Sequence, residues 1–168
     1  FILIGKCHEM KISKEIILKL NEIIHCDFEY LKENIEYDSD GNHLLKNYMS
    51  LSLSSFFLKD KSAKNYFKTL ESLLIDQIIS ESGCHYEKSL DYHNSILFDL
   101  SILYFYLEEN ECTNDSLLFN LKSHIEKMLT FSTSLNFDDK ILINDSFENY
   151  HFSSSKLISE LSKNFNLK

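Results

Sequence analysis

Ala63-Lys64-Asn65-Tyr66-Phe67-Lys68-Thr69-Leu70-Glu71-Ser72-Leu73-Leu74-Ile75-Asp76-Gln77-Ile78 carries the period that decides the fold. Its apolar residues Ala63, Tyr66, Phe67, Leu70, Leu73, Leu74 and Ile78 recur every three or four positions, the spacing of one face of an amphipathic helix. The same spacing extends outward in both directions. Upstream, Ile16, Leu20, Ile23, Ile24, Phe28, Leu31 and Ile35 predict a helix from Ile12 to about Ile35, ending in Asp38-Ser39-Asp40-Gly41. A second helix should start near Asn42 and His43 and run through Leu44, Leu45, Tyr48, Leu51 and Phe56 to a stop around Lys59-Asp60-Lys61. Downstream, Ile96, Leu97, Leu100, Leu103, Tyr104 and Leu107 predict a fourth helix, and Leu117, Leu118, Leu121, Ile125, Met128 and Leu129 a fifth. Leu157, Ile158 and Leu161 mark a short sixth. Ile141-Leu142-Ile143 reads as an extended piece, and residues 84–91, which lack a clean period, as a loop.

Six helices joined by short links predict an all-α fold of antiparallel helical hairpins forming part of an α/α toroid. Segments 12–35 with 43–58, and 62–80 with 93–110, are expected to stack as successive hairpins. Loops 38–43 and 81–92 each follow an odd-numbered helix, so an up-and-down arrangement puts them at the same end.

Composition agrees with helices. The chain has no Pro, Val or Trp, and Leu, Lys, Glu and Ser fill the long periodic segments. At 168 residues and 43% hydrophobic it is long enough for one domain with a core. Net charge is −9 and there is no Arg, so a phosphate-rich partner would meet only Lys and no bidentate fork. A nucleic-acid partner is therefore not expected. Cys7, Cys26, Cys84 and Cys112 have neither CxxC nor zinc-finger spacing, and are read as buried free thiols. No apolar run reaches membrane-spanning length. The chain starts without Met, and is read as a single helical domain, residues 1–168, cut from a longer protein.

Side chains able to do chemistry gather in two places, each just after a glycine. Asn42 and His43 follow Gly41, while His85, Tyr86, Glu87, Lys88, Tyr92 and His93 follow Gly83. Asn42 taken alone reads as a helix cap, and His43 as an ordinary surface or core histidine. Tyr86 and Tyr92 read equally well as core aromatics. A metal site built from His85, Glu87 and His93 is not expected, because their spacing is not that of a single-helix ligand pair. No cofactor is expected either.

Taken together, the blocks resemble the heparinase II/III family. Gly41-Asn42-His43-Leu44-Leu45-Lys46-Asn47 is similar to that family's G-N-H-L-L-E-N helix start. Gly83-Cys84-His85-Tyr86-Glu87-Lys88-Ser89-Leu90-Asp91-Tyr92-His93 is similar to its D-G-x-H-x-E-R-S-P-x-Y-H loop. Asn136-Phe137-Asp138-Asp139-Lys140-Ile141-Leu142-Ile143-Asn144-Asp145-Ser146 is similar to its H-P-D-G-x-I-x-L-F-N-D-S segment. Lys88 stands where the family has Arg, which removes a planar fork, and Leu90 where it has Pro, which loosens the loop.

The resemblance implies a toroid followed by a β-rich C-terminal domain that completes a cleft for acidic polysaccharide. The implied reaction is β-elimination at uronate links, in the periplasm or outside the cell. Asn42 and His43 would neutralise the uronate carboxylate, and Tyr92 would be the Brønsted base. His85, Glu87, Lys88 and His93 are the implied substrate-binding neighbours, with the two histidines as candidates to polarise Tyr92. The competing expectation, from the Lys88 and Leu90 departures, is a glycan-binding or scaffolding toroid without turnover.

Overall fold

A computed structural model of the chain describes residues 13–39, 41–78, 81–112, 114–135 and 154–165. Among these residues there are six helices: α1 Lys14–Glu33, α2 Asn42–Phe57, α3 Ala63–Gln77, α4 Leu90–Glu109, α5 Asp115–Ser134 and α6 Ser154–Asn164. The fold is all-α, as the periodicity requires. Its one strand-like feature among the described residues is an isolated antiparallel bridge between Ile78 and His85. Cys7, Asp40, the Ile141-Leu142-Ile143 piece and the whole block from Asn136 to Ser146 lie outside the described residues.

The helix starts are set locally. Ser13 caps α1 by accepting the Ile16 N–H, Ser89 caps α4 by accepting the Tyr92 N–H, and Asn114 caps α5 by accepting the Leu117 N–H. Each such cap stabilises its helix by about 1 kcal/mol. The α4 start falls at Leu90, so the expected loop over residues 84–91 is shorter than its lack of period suggested. Tyr92 and His93 sit in the first turn of a helix, with Ser89 outside as the cap.

The first expected hairpin is present, α1 packing against α2, but the second is not. α2 packs most extensively on α3 and α4 on α5, while α2 lies beside α4 and α3 beside α5. The segments expected to form a second hairpin, α3 and α4, are not packed along their lengths. The reason is the core: Leu45, Leu51, Leu70, Leu74, Ile96, Leu97, Leu100, Leu121 and Ile125 are all fully buried in one cluster. A two-layer arrangement, α2 with α4 and α3 with α5, closes that cluster on both sides. Alternate helices therefore run the same way, and the loops before α2 and before α4 share one end of the molecule.

α1 packs against α2 and leaves much of its surface exposed. Phe28 is its buried residue, with Leu31 and Ile35 packed partly against the core, but Ile16 and Ile23 of its predicted stripe are about half exposed, at 50% and 55%. The cysteines also differ from expectation: Cys26 is exposed, and Cys84 and Cys112 are half-buried, all as free thiols. None of these three fills the core, which Leu, Ile and aromatic side chains occupy instead.

Candidate functional site

At the shared end, a cavity of about 530 Å³ opens between the N-terminal halves of α2 and α4. Helix α2 contributes Asn42, His43, Lys46 and Asn47, helix α4 contributes Asp91, Tyr92, Asn94, Ser95 and Phe98, and Glu36 closes one side from the preceding link. The structure thus brings Asn42, His43 and Tyr92 to one concave surface. His85, Glu87, Lys88 and His93 are not among the lining residues.

Glu87 instead reaches across to the start of α2. Gly41 is the N-cap residue, with φ 89° and no side chain to offer, and the Asn42 N–H is accepted by Glu87 Oε1 at 3.1 Å. The expected cap function of Asn42 is thereby corrected: Asn42 is the first helical residue, and a carboxylate from the other loop closes the turn. A negative charge is favourable there because the first N–H groups of a helix point outward and carry its positive pole. Gly41 is required for the approach, since a Cβ at that position would run into the Glu87 carboxylate and the Tyr86 hydroxyl.

Behind the cavity runs a buried polar chain. Gln77, which no sequence signal singled out, donates from Nε2 to the Gly41 carbonyl at 3.0 Å, so its Oε1 accepts from His85 Nε2 at 3.3 Å. The His85 backbone N–H donates to His93 Nδ1 at 3.3 Å. That leaves the His93 proton on Nε2, which faces Ser132 Oγ at 3.0 Å and the Met128 carbonyl at 3.2 Å. Ser132 in turn donates to Asn94 Oδ1 at 3.4 Å. Burial pushes both His85 and His93 down to about 4, so both rings are neutral near pH 7. Both ring nitrogens of His93 are engaged away from the cavity, joining α4 to α5 and to the loop.

In the cavity, His43 Nδ1 lies 3.3 Å from Glu36 Oε2. A carboxylate only accepts, so Nδ1 carries the proton and Nε2 is the nitrogen left to meet a ligand. Asn47 steadies the same carboxylate through Nδ2 at 3.2 Å and accepts the Glu36 N–H at 3.0 Å. Lys46 is held by Asp99 at 2.9 Å and Ser95 at 2.6 Å. Glu36, Lys46, Asn47, Asp91, Asn94, Ser95 and Phe98 were not anticipated. Their signal was present in the numbering: residue 46 is one turn on from 42, and 91, 94, 95 and 98 share a helix face.

Leu90 occupies the first position of α4, which suits Pro well because its missing N–H would be unsatisfied there anyway. With Ser89 already fixing the turn, Leu in this place leaves the helix start intact. Lys88 is exposed and has φ 55°. Among the described residues no group of three or more His, Cys, Asp or Glu is placed to hold a metal ion, and no described helix is long and apolar enough to cross a membrane.

The family model described as "Heparinase II/III N-terminus" fits residues 8–167. No curated protein and no solved structure matches the chain.

Proposed function

The chain belongs to the heparinase II/III family, through its N-terminal region, and from that premise we propose that it is the helical half of a polysaccharide lyase acting on uronate-containing acidic glycans by β-elimination. The single observation that carries the reading is the convergence of Asn42, His43 and Tyr92 on one cavity, from segments some fifty residues apart.

The chemistry requires removal of a weakly acidic proton from C5 of the uronate, beside a carboxylate whose charge opposes the enolate-like intermediate. Asn42 donates to that carboxylate, a preorganised contact worth about 3 to 4 kcal/mol in comparable donor sites. His43, oriented by Glu36, stands beside Asn42 in the same cavity. The step requires Tyr92 as the phenolate: it takes the C5 proton and becomes the phenol, the C5–H electron pair forms the C4–C5 double bond, and the C4–O bond breaks. The departing oxygen takes up a proton, which in this reading Tyr92 returns.

In this reading His85, His93, Glu87 and Gln77 hold the two helix starts in register instead of touching sugar. The alternation of α2 with α4 and α3 with α5 favours a toroid, which a β-rich C-terminal domain covers. An open cavity leaves water to solvate the carboxylate, so residues 1–168 alone should turn over glycan poorly.

The test is to incubate the full-length protein with heparan sulfate, hyaluronan and alginate and follow the ultraviolet absorbance of the unsaturated uronate product. A rise that Tyr92→Phe reduces by about 100-fold or more is expected for loss of an acid–base group. Unaltered turnover in that variant removes Tyr92 from the chemistry. Binding without any product favours the non-catalytic glycan-binding reading.

A further inference from the structure

Asn94 is 1% exposed and lines the cavity, and its Oδ1 is turned toward Ser132 on α5. Its Nδ2 finds no hydrogen-bond partner among the described residues. A buried amide donor left unpaired is costly, and a side chain in a cavity wall avoids that cost when a ligand supplies the acceptor. One turn further along the same face, Phe98 also lines the cavity, and its ring is 38% exposed. A donor and an exposed aromatic four residues apart on one helix suit a ligand with hydroxyls at its edge and an apolar C–H face. Sugar rings have that form.

We propose that Asn94 and Phe98 form a sugar-binding subsite next to the reacting one, Asn94 Nδ2 donating to a glycan oxygen and the Phe98 ring covering the face of a pyranose. The proposal rests on the glycan reading above and names where the polymer continues. Phe98 stands six residues beyond Tyr92, roughly 9 Å along the axis of α4. That separation puts the ring beyond the sugar whose proton Tyr92 removes. The subsite contributes binding that is equal in the ground and transition states, so its loss raises KM and leaves kcat unchanged.

The experiment is calorimetric titration of the full-length protein, and of its Asn94→Ala and Phe98→Ala variants, with hexasaccharides prepared from heparan sulfate, hyaluronan and alginate. Product formation and melting temperature are followed alongside. Each variant is expected to weaken the best-bound hexasaccharide by roughly tenfold, with kcat held where product forms. Phe98 is a surface ring, so its replacement decides the matter if Asn94→Ala disturbs the fold. Wild-type affinity in Phe98→Ala, or in a folded Asn94→Ala, overturns the subsite while leaving the lyase reading in place. Weakened binding without product from any form supports the subsite and overturns the lyase chemistry. Failure of the wild type to bind any hexasaccharide overturns both.

Discussion

Glu87 Oε1 sits 3.1 Å from the Asn42 backbone nitrogen and accepts its hydrogen bond, although the two residues are 45 apart in sequence. The loop that leads into Tyr92 is thus fastened to the start of the helix that carries Asn42. One contact fixes the relative position of the proposed base and the proposed carboxylate-binding group. The Gln77 bridge from the Gly41 carbonyl to His85 fastens the same two segments a second time.

Glu87→Ala should therefore cost about 1 kcal/mol in stability, the usual value of a lost helix cap, and slow turnover of the full-length protein by loosening Asn42 against Tyr92. Glu87→Gln keeps an oxygen acceptor and should retain most of both. Urea midpoints and product absorbance measure the two effects. Alanine at wild-type stability would show that the contact is incidental.

Gly41→Ala tests the same junction from the other side. At φ 89° an L side chain is strained, by about 1 to 3 kcal/mol for such backbone regions, and the new methyl also displaces the Glu87 carboxylate. The substitution is expected to be more damaging than Glu87→Ala. A melting temperature equal to wild type would mean that the turn has another conformation in solution.

The helices were legible because each buried stripe is set by nearest turns, and parity alone put the two site loops at one end. Pairing was legible for α1 with α2 and not beyond it. Whether α3 lies beside α4 or beside α5 depends on how Leu70, Leu74, Leu121 and Ile125 share one core, which no local period records. The capping of α2 was misassigned for a related reason, since Asn is the better intrinsic cap and the carboxylate that displaces it comes from another segment. His93 looked like a site residue by its neighbour Tyr92, yet on a helix adjacent residues point about 100° apart. One faces the cavity and the other faces Ser132 and Met128.

Asn42 separates cap from chemistry. Because Gly41 and Glu87 close the turn, Asn42→Ala should keep the cap and cost less than the roughly 1 kcal/mol of a lost cap, while product formation collapses in the full-length protein. Asn42→Asp sets a carboxylate against the substrate's own and should be equally inactive. Normal turnover in the Asp variant would remove Asn42 from carboxylate recognition.

The buried histidines make stability depend on pH in a stated direction. Burial holds His93 at about 4 in the folded chain, against 6.5 for an ordinary histidine, and His85 behaves alike. As pH falls through 6.5 the unfolded chain takes up protons that the folded chain refuses until about 4. The unfolded state then binds more protons, so stability is complete above about pH 6.5, falls as pH drops, and levels off below about 4. For His93, which is 1% exposed, the loss amounts to about 3 kcal/mol at most. His93→Gln removes the titration and keeps an N–H for Ser132. It should lower stability at pH 7, because an imperfect fit weakens the bond from the His85 N–H, yet flatten the decline between pH 6.5 and 4. Urea titrations at half-unit pH steps measure both. A variant whose stability falls with pH as steeply as the wild type would show that other groups, His85 or carboxylates elsewhere, and not His93, set the acid sensitivity.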